Sequence, residues 1–90
     1  AILYGNLAGG GDDLTRLRLV SYRELKKVAQ AAGFQWIRSE GSHNVFRHDS
    51  GKIVVIPDHG SQVIVRPLLR KILRDLGLKP EEYHRLLDKR

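Results

Sequence analysis

Apolar residues fall at helical spacing near both ends of this chain and in short strand-like runs between them, and that order predicts the architecture. Leu25, Val28, Ala29 and Ala32 lie at offsets of zero, three, four and seven, which makes one stripe of an amphipathic helix. Ser21-Tyr22-Arg23-Glu24 ahead of them matches a capping box, in which a serine hydroxyl and a glutamate carboxylate satisfy free amides of the first turn. Gly33 supplies the stop. Three runs rich in β-branched and aromatic residues follow: Phe34 to Arg38, His43 to His48, and Lys52 to Pro57. The connections Ser39 to Ser42 and Asp49 to Gly51 are short and carry turn residues, so the runs predict an antiparallel meander. In the second run, alternation puts His43, Val45 and Arg47 on one face and Asn44, Phe46 and His48 on the other; it does not say which face is covered.

A second stripe, Leu69, Ile72, Leu73 and Leu76, repeats the helical spacing between Pro67 in the first turn and Gly77 at the end. Arg66, Arg70 and Arg74 form a basic ridge beside it. Lys79-Pro80-Glu81-Glu82 then opens a short last helix carrying Tyr83, Leu86 and Leu87. The expected fold is α+β in the order α-β-β-β-α, a three-stranded antiparallel sheet packed on two helices, with an extra short C-terminal helix. Residues 1–20 show thin apolar content broken by Gly5, Gly9, Gly10 and Gly11 and read as a flexible extension to a domain over 21–90.

Composition narrows the function classes. Ninety residues allow one small domain. The absence of cysteine excludes a disulfide framework, a thiolate nucleophile and a cysteine-rich zinc module. Apolar runs of roughly five residues are far too short for a membrane span, and no secretion signal opens the chain, so a soluble cytoplasmic protein is expected. Asp12, Asp13, Arg16 and Arg18 cancel, which leaves the whole net charge of +6 within residues 21–90. A compact basic domain of this kind attracts polyanions such as nucleic acid through phosphate contacts.

The chemistry-bearing block is Gly41-Ser42-His43. Imidazole titrates closest to neutral pH, and glycine permits close approach of a bulky polyanion. The four histidines, His43, His48, His59 and His84, are spaced by five, eleven and 25 residues, with no helical pair and no carboxylate cluster. Neither a metal nor another cofactor is expected. Trp36, beside Phe34 and Ile37, is expected in the core rather than as a base-stacking platform.

The element order is that of double-stranded RNA-binding domains, and residues from Ser21 to Leu87 resemble the HicA toxins, also called YcfA-like proteins. The matching pieces are Ala32-Gly33-Phe34, Gly41-Ser42-His43 running into Val45-Phe46-Arg47-His48, Val55-Ile56-Pro57-Asp58-His59, and Leu68 to Leu73 leading into Leu76-Gly77-Leu78. Asn44 stands where that family often has a second histidine. The resemblance implies the toxin half of a type II toxin–antitoxin pair, an mRNA interferase with a double-stranded-RNA-binding-domain-like fold, with mRNA as substrate and a HicB-type antitoxin as partner. It implies that His43 is the catalytic residue; taken alone, an isolated histidine reads as a solvated or hydrogen-bonded imidazole. The expected RNA-binding set is Gly41, Ser42, Arg47, Lys52, Arg38, Arg66 and Arg70 around a metal-independent endoribonuclease site. A non-catalytic RNA-binding module of the same fold, or a degenerate toxin that only binds its antitoxin, are the alternatives.

Overall fold

The computed structural model describes residues 17–89. Its elements are α1 (Tyr22–Ala31), β1 (Phe34–Glu40), β2 (His43–His48), β3 (Ile53–Pro57), α2 (Arg66–Leu76) and α3 (Pro80–Asp88). The strands form one antiparallel sheet in the order β1-β2-β3, so the α-β-β-β-α arrangement with an added C-terminal helix stands as expected. Leu25 and Val28 of α1, Leu69, Ile72 and Leu73 of α2, and Tyr83 and Leu87 of α3 share one core with Phe34, Phe46, Val54 and Ile56 of the sheet. Burying each of these side chains contributes roughly 1.5–3 kcal/mol before entropy is counted.

The helices therefore cover the Asn44–Phe46–His48 face, which leaves His43, Val45 and Arg47 on the open one, where His43 and Arg47 are exposed and the central Val45 is buried among its neighbours. Cross-strand pairing adds Val55 and Ile53 to the open face, where they are 42% and 47% exposed.

β1 runs two residues further than its apolar content indicates and closes onto β2 through the two-residue turn Gly41-Ser42, with Glu40 opposite His43. Gly41 adopts a φ of +60°, the left-handed conformation that tight hairpin turns require and side chains other than glycine resist. Between Trp36, opposite Phe46, and Arg38, opposite Val45, the register slips by the one extra residue Ile37, a β-bulge. Trp36 is not in the core: it is 50% exposed on an edge strand, and its indole N–H donates to Asn44 Oδ1 at 3.0 Å. A strand with no neighbour on one side covers a large ring poorly, and the polar N–H finds its acceptor at the rim.

α1 starts at the expected place for a different reason. The Ser21 hydroxyl makes no cap bond. Instead Ser21 pairs with Val63 as an isolated antiparallel bridge, and the Ile64 amide donates to the Val20 carbonyl at 2.8 Å. A pairing remote in sequence thus holds the chain where a local cap was expected.

The packed unit also begins before Ser21. Leu17 and Val20 are buried in the same core as the helices. Arg66 Nη1 donates to the Leu17 carbonyl at 2.7 Å, and the Tyr83 hydroxyl donates to the Arg18 carbonyl at 2.5 Å. Residues 17–20, read as part of a flexible extension, are a strap across the helical layer; two apolar side chains three apart carry no period that marks them. The rest of that extension, residues 1–16, lies outside the described residues.

Candidate functional site

The hairpin between β1 and β2 builds one corner of the open sheet face. His43 is the first residue of β2 and is exposed. Its cross-strand partners are Glu40 on β1 and Pro57 on β3. The preceding turn is held from the β3 side, where the Asp58 amide donates to the Ser42 carbonyl at 2.7 Å, and from β2, where Asn44 Nδ2 reaches the same oxygen at 3.4 Å. The imidazole therefore projects from a backbone fixed on both flanks.

The bulge at Ile37 decides what stands next to it. Strict alternation from Phe34 would send Trp36, Arg38 and Glu40 to the helical side together; the extra residue turns Arg38 and Glu40 to the open face beside His43. Arg38 Nε donates to Glu40 Oε2 at 2.7 Å in an exposed ion pair. That hydrogen bond, the charge of Arg38 and, to a smaller degree, the charge of His43 hold the Glu40 carboxyl below its usual range, so it is an anion beside the imidazole at neutral pH.

Of the predicted site residues, the structure brings Gly41, Ser42, His43 and Arg38 into this corner. Arg47 shares the open face but lies four residues along β2, about 13 Å away at strand rise. Lys52 lies just before β3 at the opposite end of the sheet, and its ammonium approaches the C-terminal end of α2 near Gly77. Arg66 and Arg70 belong to the helical layer. Arg66 is bound to the Leu17 carbonyl, while half-buried Arg70 lines a cleft of about 180 Å³ with Leu17, Leu73 and Leu78. The residue that sequence reading missed is Glu40. The available signal was the two-residue turn, which fixes Glu40 opposite His43 once Gly41-Ser42 is recognised as the whole loop.

The other histidines have distinct settings. His48 lies on the helical face with its ring 5.2 Å from Phe34, and its Nδ1 accepts the Ser50 amide at 3.0 Å, which closes the β2–β3 turn. His84 Nε2 accepts the Arg18 amide at 3.2 Å. His59 is exposed in the loop after β3. On the helical side of the His43 corner, a groove of about 600 Å³ runs between the first turn of α1 and that loop, lined by Tyr22, Arg23, Lys26, Asp58 and Ser61 among others. Burial, then the Asp58 charge, pushes the Tyr22 phenol above its ordinary value. Among the described residues, no group of three or more His, Cys, Asp or Glu side chains could hold a metal ion, and no helix is long and apolar enough to cross a membrane.

These features define a class: a small basic α+β domain, helices on one face of a three-stranded antiparallel sheet, with an exposed histidine, a carboxylate and arginines on the other. Residues 22–78 match the family described as the HicA toxin of bacterial toxin–antitoxin systems. A protein of Pseudomonas fluorescens (strain Pf0-1) called a probable mRNA interferase HicA is 34% identical over 61 residues, 67% of this chain and 98% of that one. The chain belongs to the HicA toxin family.

Proposed function

We propose that this protein is the toxin of a type II toxin–antitoxin pair and cleaves mRNA in the cytoplasm as a metal-independent endoribonuclease, with His43 as its catalytic residue. The observation that carries this reading is the exposed His43 at a pinned hairpin corner, flanked on its own face by the Arg38–Glu40 pair. The name of the Pseudomonas relative supports the substrate class.

RNA carries its own nucleophile. His43 takes the proton of a 2′-hydroxyl, the 2′-oxygen attacks phosphorus, and the bond to the 5′-oxygen breaks as that oxygen gains a proton from an acid or water, leaving a 2′,3′-cyclic phosphate and a 5′-hydroxyl end. The Glu40 carboxylate stabilises the imidazolium that forms and keeps the ring over the site. Arg38 offsets the charge gathering on the phosphoryl oxygens, and Arg47 holds the strand further along the face. Gly41 and Ser42 leave room for the backbone of the RNA beside the imidazole.

The same face suits an antitoxin of the HicB type. Ile53 and Val55 offer apolar contact between cationic side chains, so an acidic partner with an apolar centre would cover His43 and the phosphate contacts together.

The test is cleavage of a defined RNA by wild type and His43→Ala, with chelator present and with circular dichroism to establish that both are folded. Loss of cutting by about 10²-fold or more in the variant alone supports the assignment. Equal cutting by the two would sink it, and salt-dependent RNA binding without cutting by either would leave a binding module.

A further inference from the structure

We infer that His59 is the second catalytic residue, the general acid that protonates the leaving 5′-oxygen; this rests on the reading of His43 as the base. The chemistry calls for two carriers. A proton leaves the 2′-oxygen as the P–O2′ bond forms, and a proton must arrive at the 5′-oxygen as the P–O5′ bond breaks on the opposite side of phosphorus. One imidazole on one side of the phosphate does not serve both positions within a single displacement.

Among the described histidines, His48 and His84 are engaged elsewhere. His48 packs on Phe34 in the helical layer and closes a turn, and His84 accepts an amide of the strap at α3. Tyr22 is a poor carrier at neutral pH because its phenol is held above the ordinary range. His59 is exposed, and among the described residues its hydrogen bond is made by its backbone carbonyl, which accepts the Gln62 amide at 3.3 Å.

The fold brings His59 to the His43 corner. Pro57 is the cross-strand partner of His43, and the Asp58 amide bond to the Ser42 carbonyl carries the pairing one residue beyond β3. His59 is the next residue. Pairs directly opposite lie about 5 Å apart and each step along a strand adds about 3.3 Å, so the His59 backbone stands roughly 8 Å from that of His43. Backbones at that spacing are near enough for their two imidazoles to reach one phosphate. Alternation gives His59 its side: Asp58 lines the groove with Tyr22 on the helical face, and His59 is not part of that lining. The loop is also fixed where the imidazole leaves it, because Asp58 Oδ1 accepts the Gly60 amide at 2.9 Å.

The deciding experiment compares two substrates of one sequence, cut at the bond mapped with wild-type protein. One is ordinary RNA; the other has sulfur in place of the bridging 5′-oxygen at that bond. A thiolate departs without protonation, so only the ordinary substrate needs the acid. His59→Ala is expected to slow ordinary RNA by about 10²- to 10⁴-fold and the sulfur substrate by only a few-fold. His43→Ala should slow both. His59→Gln, closer in size and able to hydrogen-bond, should behave as His59→Ala does. An equal loss on the two substrates would mark His59 as structural and overturn the inference, as would an undiminished rate on ordinary RNA. If His43→Ala still cuts, the fault lies with the assigned base, whatever His59 does.

Discussion

Leu17→Ala tests whether the strap before α1 belongs to the domain. Leu17 is 2% exposed and packs into the core that α1, α2 and α3 share with the sheet. Truncating a buried leucine removes its transfer free energy and leaves a cavity, at a cost of about 2–5 kcal/mol. The hydrogen bonds from the Arg66 guanidinium to the Leu17 carbonyl and from the Tyr83 hydroxyl to the Arg18 carbonyl survive the substitution, so the lower half of that range, about 3 kcal/mol, is expected. For a domain of this size each kcal/mol moves Tm by roughly 4–8 °C, which places the variant roughly 12–24 °C below wild type. Thermal unfolding of the full chain followed by far-UV circular dichroism reads this directly. Val55→Ala on the open face is the control: the side chain is 42% exposed, and the cost should be about 1 kcal/mol or less. A Leu17→Ala melting point within a few degrees of wild type would refute the packing argument and return the domain boundary to Ser21.

Other outcomes follow from single contacts. Gly33 has a φ of +94°, and a Cβ there would meet His48 Cδ2 at 3.0 Å, against a ring already backed by Phe34; Gly33→Ala should cost about 2 kcal/mol and lower Tm by roughly 8–16 °C. Folding keeps on Tyr22 a proton that the unfolded chain releases near pH 10.0. This contribution to stability is intact below that pH and shrinks as pH rises through it, so denaturant titrations between about pH 9 and 11 should show a steeper loss for wild type than for Tyr22→Phe. Equal slopes would remove the assigned burial effect. For single-stranded RNA, Arg38→Ala or Arg47→Ala should each reduce the slope of log affinity against log salt by about 0.7, one phosphate contact. Arg66→Ala should leave that slope alone and lower Tm, because its guanidinium is occupied by the Leu17 carbonyl.

The element order was legible in the sequence because helix and strand periods are local: Leu69, Ile72, Leu73 and Leu76 mark α2 wherever the rest of the chain lies, and all four are buried. Alternation likewise put His43 on the face of Val45 and Arg47. What alternation lacked was a sign. Only the packing of three helices against Phe46, Val54 and Ile56 decided that the histidine face stays open. The bulge at Ile37 depends on how β1 registers against β2, a contact between residues about ten apart, and it alone turns Arg38 and Glu40 toward His43. The same distinction explains the ends of the site. Arg66 and Arg70 line up as a basic ridge when α2 is viewed alone, yet Arg66 is drawn to a carbonyl 49 residues earlier in the chain. Leu17 and Val20 have no amphipathic pattern of their own and enter the core because α2 and α3 offer apolar surface and hydrogen-bonding partners to the strap. Local periodicity sets which elements form; register, coverage and the company of His43 come from contacts remote in sequence, whose energies no short window of residues contains.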